Sequence, residues 1–225
     1  MMQSEQQRRA YLDALGIDVW LPRDEADPLE SGEAVIDDGP IAVDWQSLAT
    51  QVSACQRCEL AASRTQTVFG VGNRQADWMV IGEAPGAEED RRGEPFVGRA
   101  GQLLDEMLRA VGLSRDGVFI ANILKCRPPN NRDPKQDEAD ACRGYLEQQI
   151  ALVQPKVILA VGRIAAQQLL GRDDPVGRLR GKAHQLGDIP IIVTYHPAYL
   201  LRRPSEKARS WTDLCLARRV LEAAA

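Results

Sequence analysis

Glu83, Asn122 and His196 offer the most chemistry in this chain, and each stands where a short apolar run ends: WMVI before Gly82-Glu83, VFIA before Asn122 and IIVTY before His196. A carboxylate, a carboxamide and an imidazole sharing one crevice would supply an anionic neighbour or base, a paired donor and acceptor, and a hydrogen-bond donor at neutral pH. The blander alternatives are a loop-capping asparagine and a packed histidine. The stretch GEAPGAEED places many acids beside two glycines at a strand end, a place that commonly holds a ligand, although Glu88, Glu89 and Asp90 also suit a solvated turn. No Ser or Thr stands in a nucleophile elbow, and GEAPG fits neither a Walker loop nor GxGxxG, so no nucleotide-phosphate site is indicated.

Five cysteines form a second group. Cys55 and Cys58 make a CxxC, Cys126 and Cys142 lie further on, and Cys215 sits among Leu214, Leu216 and Val220 at helical spacing, where a small buried hydrophobe is expected. A metal site, a redox pair and scattered core cysteines are the three readings. A redox CxxC usually follows a strand, whereas Cys55 follows a helical pattern, so metal binding leads. Four thiolates suit zinc and a 4Fe-4S cluster alike, and spacing leaves the metal open.

Elements must position these residues. Apolar runs alternate with helical patterns, which predicts a parallel sheet with strands over Trp78 to Gly82, Val118 to Leu124, Val157 to Val161 and Ile191 to Tyr195. Helices are predicted over WQSLATQVSAC with Asp44 as N-cap, Gly101 to Val111, Gln136 to Val153, Ile164 to Leu170 and near Ser205 to Ala224. The loops GEAPGAEED, KCRPPNNRD, GRIAA and HPAYLLRRP then follow the four strand ends, and open parallel sheets place the ligand crevice there.

Composition bounds the function. A chain of 225 residues, 44% apolar and 27% charged, suits one folded domain with an extension. The longest apolar stretch falls short of the roughly 18 residues of a membrane span, and MMQSEQQRRA lacks the apolar core of a secretory signal, so a cytoplasmic location is expected; separately, a monomer is expected. Residues 1–45 carry eleven acids against three arginines, while the whole chain is at −4, so the remainder is mildly basic. An acidic extension over residues 1–43 and a folded domain over 44–225 are expected. The clusters Lys125 to Arg132 and Leu201 to Arg209 keep a phosphate backbone as a partner.

The motifs CQRCEL, VFGVGN, GEAPGAEEDRRGEPFVGRAGQLL, NILKCRPPNNRDP and YHPAYLLR, in that order across Leu48 to Leu214, resemble the iron-sulfur uracil-DNA glycosylases of family 4. Similar sequences also occur fused to phage DNA polymerases. The resemblance implies a three-layer α/β/α sandwich with a central four-stranded parallel sheet, and a 4Fe-4S cluster on Cys55, Cys58, Cys126 and Cys142. It implies that the domain over 44–225 is catalytic, that uracil-containing single- or double-stranded DNA is the substrate, and that the activity is monofunctional base excision leaving an abasic site.

By the same resemblance Phe96, otherwise read as a core residue, stacks on the flipped uracil while Asn122 reads its edge. Glu83, Ala84 and Pro85 shape the pocket, His196 donates to uracil O2, and Glu83 orients water and stabilises the cationic sugar. Tyr199, Leu200 or Leu201 fills the vacated stack and Arg202 or Arg203 holds phosphate, where the residues alone suggest a turn into the last helix. Some related enzymes trap the sugar on a histidine of an Arg-rich loop, but none stands between Lys125 and Cys142, so hydrolysis with turnover is expected. The alternative is a non-catalytic iron-sulfur DNA-binding module or polymerase accessory protein.

Overall fold

The computed structural model describes residues 44–224, and the acidic segment expected over 1–43 lies outside them. Helix α1 (Trp45–Ala54) starts on its expected cap: the Asp44 carboxylate accepts from the Gln46 and Ser47 amides at 2.8 and 2.9 Å. Those amides have no partner inside the helix, which is why the cap stabilises it.

Strands β1 (Val71–Gly72), β2 (Trp78–Gly82), β3 (Phe119–Asn122), β4 (Val157–Val161), β5 (Ala183–Leu186) and β6 (Ile189–Thr194) form one sheet in the order β1-β3-β2-β4-β6-β5. The expected four parallel strands are its centre, β3-β2-β4-β6. The sheet is nonetheless mixed and six-stranded, because β1 and β5 add antiparallel edges. Two residues of β1 and the polar AHQL of β5 carry no apolar run, so nothing in their composition announced them. The second predicted strand, observed as β3, also ends early, at Asn122; Ile123 and Leu124 leave it while donating to the Gly82 and Glu83 carbonyls at 3.0 Å each.

The remaining helices are α2 (Leu60–Ser63), α3 (Ala87–Arg92), α4 (Arg99–Ala110), α5 (Gln136–Val153), α6 (Arg163–Leu170), α7 (Val176–Leu179), α8 (Pro197–Arg202) and α9 (Lys207–Ala224). Both β2 and β4 are buried along their whole length, so their side chains divide by alternation. Met79, Ile81, Ile158 and Ala160 pack with Leu146 and Ile150 of α5 and Ala165 of α6. Trp78, Val80, Val157 and Leu159 pack with Leu104 and Leu108 of α4 and Leu214 of α9. Three layers result, and the parallel strands deliver their carboxyl ends to one rim.

Candidate active site

The loop after β2 is built around α3. Glu89, three residues into that helix, turns back so that its carboxylate accepts from the Gly86 amide at 3.1 Å and from the Val97 and Gly98 amides at 3.0 and 3.1 Å. Asp90 is buried and accepts from the Thr65 and Gln66 amides at 2.9 and 3.4 Å. The solvated turn expected for these acids is therefore confined to Glu88, which is exposed and pairs with Arg91 at 2.6 Å. Glu89 instead staples GEAPG to the segment carrying Phe96, and Asp90 ties the same helix to Thr65 and Gln66.

Phe96 adopts a left-handed backbone, φ 54°, a conformation a bulky residue adopts at a cost. Its surroundings hold it there. Arg115 Nη1 donates to the Phe96 carbonyl at 3.2 Å and Nη2 donates to the Pro95 carbonyl. A Cβ on Gly101 would lie 1.7 Å from the same Phe96 carbonyl oxygen, so only glycine admits this approach. The ring is buried, as a core reading requires, and also forms a wall of the cleft.

That cleft encloses about 510 Å³ at the carboxyl ends of the strands and is lined by Glu83, Phe96, Asn122, His196, Tyr199 and Arg202 among others. Asn122 Oδ1 is buried and has no hydrogen-bond partner among the described residues. A buried amide oxygen left open is costly unless a ligand supplies the donor. It does not cap a loop. His196 caps α8, with its Nδ1 accepting from the Ala198 amide at 3.1 Å. An amide can only donate, so Nδ1 is the bare nitrogen and Nε2 carries the hydrogen of the neutral ring. Burial, then the Arg202 charge, pulls the His196 pKa down to about 4, against a weaker upward pull from Glu89.

Burial pushes the Glu83 carboxyl up to about 7, with Asp133 raising it further and Arg163 opposing. Those two neighbours form an ion pair, Arg163 Nη2 to Asp133 Oδ2 at 2.5 Å. Ala84 lines the cleft with Glu83, while Pro85 is buried and does not. On α8, Tyr199 packs on Tyr195 with centroids 5.0 Å apart and Leu201 is 38% exposed. Leu200 is 0% exposed, packed into the core beside α4 and α9, so the DNA contact expected of it does not fit its position.

The four predicted thiol ligands meet in a second cavity, lined by Cys55, Cys58, Cys126 and Cys142 with Leu60 and Tyr145. Cys215, on α9, stands apart from it. Among the described residues no three His, Cys, Asp or Glu side chains converge as a single ion requires. Arg64 Nη1 donates to Cys126 Sγ at 3.1 Å and the Lys125 amide to Cys142 Sγ at 3.3 Å, the donors that bound thiolates favour. Burial raises the Cys58 and Cys126 thiols and pushes Cys142 up to about 11, so they resist ionising together without a compensating cation. The residues fit a four-thiolate cluster.

A family model described as the Uracil DNA glycosylase superfamily matches residues 69–218. The chain belongs to that superfamily. It is 44% identical over 174 residues to a type-4 uracil-DNA glycosylase of Archaeoglobus fulgidus, covering 74% of this chain and 87% of that protein. It is 43% identical over 182 residues to a type-4 uracil-DNA glycosylase of Pyrobaculum aerophilum, covering 77% and 93%. A type-5 uracil-DNA glycosylase of Thermus thermophilus shares 30% identity over 195 residues, covering 68% and 87%. The type-4 group is where this sequence stands.

Sequence reasoning missed Arg64, Arg163 and Asp133 as parts of these sites, and favoured a solvated turn for Glu89. All are charged residues in loops or helices that look like ordinary surface, and only the Glu three residues after Gly86 carried a signal, as a capping pair.

Proposed function

We propose that the protein is a monofunctional uracil-DNA glycosylase, which removes uracil from single- or double-stranded DNA and leaves an abasic site for base excision repair. The observation that carries this is the open, buried Asn122 Oδ1 in a cleft shared with Glu83, Phe96 and His196. The glycosidic bond cannot be reached inside the stack, so the nucleotide must be flipped into such a cleft. Phe96 offers its ring face to the base. Asn122 Oδ1 accepts from uracil N3–H while its amide donates to O4, and cytosine opposes both atoms. Leaving buried polar groups mispaired yields discrimination of roughly 10⁴.

As the bond between the sugar and N1 breaks, the electron pair leaves with uracil and the sugar becomes cationic. His196 Nε2–H donates to O2, where the negative charge collects, and a neutral imidazole does so without surrendering its proton. Glu83 as a carboxylate stabilises the cation and orients the water whose oxygen bonds to the sugar, and the proton that this water gives up ends on the departing uracil anion. Leu201 enters the vacated stack, and Arg202 with Tyr199 meets the backbone. Cys55, Cys58, Cys126 and Cys142 would hold a 4Fe-4S cluster, which supplies a structural cross-link between α1, the β3 loop and α5. We place the enzyme in the cytoplasm, acting as a monomer.

The test is incubation of the full chain with a labelled uracil oligonucleotide, followed by alkali. Strand breaks at uracil are expected, slowed by about 10² in His196→Ala with DNA binding retained. Binding without breaks would favour the accessory-module alternative.

A further inference from the structure

Lys125 is among the largest side chains wholly enclosed in the protein, at 1% exposed. Its ammonium donates to the Asn122 main-chain carbonyl at 2.8 Å and to Gln149 Oε1 at 2.6 Å, both neutral oxygens. Gln149 is itself enclosed and uses its other end, Nε2, to donate to the Phe69 carbonyl at 2.8 Å. The Lys125 main chain is tied as well. Its amide donates to Cys142 Sγ at 3.3 Å and its carbonyl accepts from the Val68 amide at 2.7 Å.

An ammonium taken out of water against neutral acceptors is costly, the charge of the nearby Cys142 and Cys126 thiols offsets only part of that cost, and methionine would fill the same space without it. Packing therefore does not account for lysine here. The bond to Asn122 does. Asn122 closes β3, paired with Gly82, and the chain turns out of the sheet directly after it. Anchoring its carbonyl fixes the plane of the peptide between Asn122 and Ile123, and that plane sets the direction in which the Asn122 side chain leaves the backbone.

We infer that Lys125 is a positioning residue for base recognition, holding the Asn122 carboxamide at its reading angle and joining that strand end to the thiol cavity. The inference rests on the glycosylase function proposed above. A lysine that only supported the fold would lower stability when replaced, and its effect would add to any change at Asn122. A lysine that acts through Asn122 would not add.

The experiment is a double-mutant cycle on the full chain, using Lys125→Met, Asn122→Ala and both together. Single-turnover uracil excision, duplex affinity and amide hydrogen exchange are measured. Lys125→Met is expected to slow excision about tenfold to a hundredfold, with duplex affinity within about twofold. Added to Asn122→Ala it is expected to cost nothing further. Lys125→Gln keeps an N–H donor, should recover part of the rate, and carries the same cycle if the methionine variant does not fold. Full additivity, or an unchanged rate, overturns the inference. A parental chain that leaves uracil in place defeats the glycosylase reading instead, and exchange then decides on Lys125. Faster exchange of the Ile123 amide in Lys125→Met with an unaltered core supports the positioning role, and unaltered exchange at Ile123 overturns it.

Discussion

The rings of Phe96 and His196 stack across the cleft, 5.7 Å apart with 30° between their planes, although one follows α3 and the other caps α8 after β6. Gly82 is the common floor on the Phe96 side. A Cβ there would lie 2.5 Å from Phe96 Cζ and 2.5 Å from Asn122 Oδ1. Gly82→Ala is therefore expected to displace the stacking face and the reading amide together. Uracil excision should fall by about 10² or more, for a misplacement near 1 Å. Overpacking should cost about 1–3 kcal/mol of stability, seen as a lower melting temperature in circular dichroism. Parental excision by this variant would mean that neither group is needed where it stands.

The pH dependence should belong to Glu83. His196, at about 4, stays neutral across the working range, whereas Glu83 near 7 titrates within it. If the carboxylate is the active form, excision rises with pH through about 7 and then levels. Asp133→Asn removes a negative neighbour and should move that inflection down, while Arg163→Met should move it up. Stability runs the other way. Because the folded pKa lies above the ordinary 4.5, ionisation favours the unfolded chain, and stability is lost as pH rises from 4.5 to about 7. Glu83→Gln should thus lose excision and hold or gain melting temperature at pH 8. A lower melting temperature there would contradict the burial argument.

Asn122→Asp tests the base code directly. A carboxylate still accepts from N3–H but repels O4, and it can accept the exocyclic amine of cytosine. Uracil excision should drop by roughly 10² and cytosine excision should rise above the parental level. Single-turnover assays on both oligonucleotides check this, and uracil removal at the parental rate would remove Asn122 from base reading.

Cys126→Ser should lose iron and sulfide, bleach the broad visible absorbance expected of the purified protein, and lower its melting temperature. Anaerobically prepared parental protein containing zinc and no iron would reject the cluster.

The strand ends were legible because WMVIG and VILAV are apolar along their whole length, and the topology of parallel strands then fixes which ends share a rim. Asp44, Gln136 and Val153 marked helix limits for local reasons, through capping and periodicity. What stayed hidden depended on partners distant in sequence. The amides that bury Asp90 belong to Thr65 and Gln66, and nothing near Asp90 announces them. Leu200 and Leu201 are adjacent and chemically alike, and only the packing of α8 against the core decides which is enclosed. Lys125 looks like one more member of a basic cluster until Gln149 and the Asn122 carbonyl are seen to enclose it.

The two antiparallel edges matter for what happens between molecules. A parallel sheet ending on a long, flat apolar strand would offer its free amides and carbonyls to the edge of a neighbour. Here β1 presents two residues, and β5 presents four whose side chains alternate between exposed and partly covered. The hydrophobic strands lie inside that border. Strands that contribute nothing to the chemistry thus guard the protein against edge-to-edge aggregation, and lengthening β1 or making β5 apolar would be the surest way to make it precipitate.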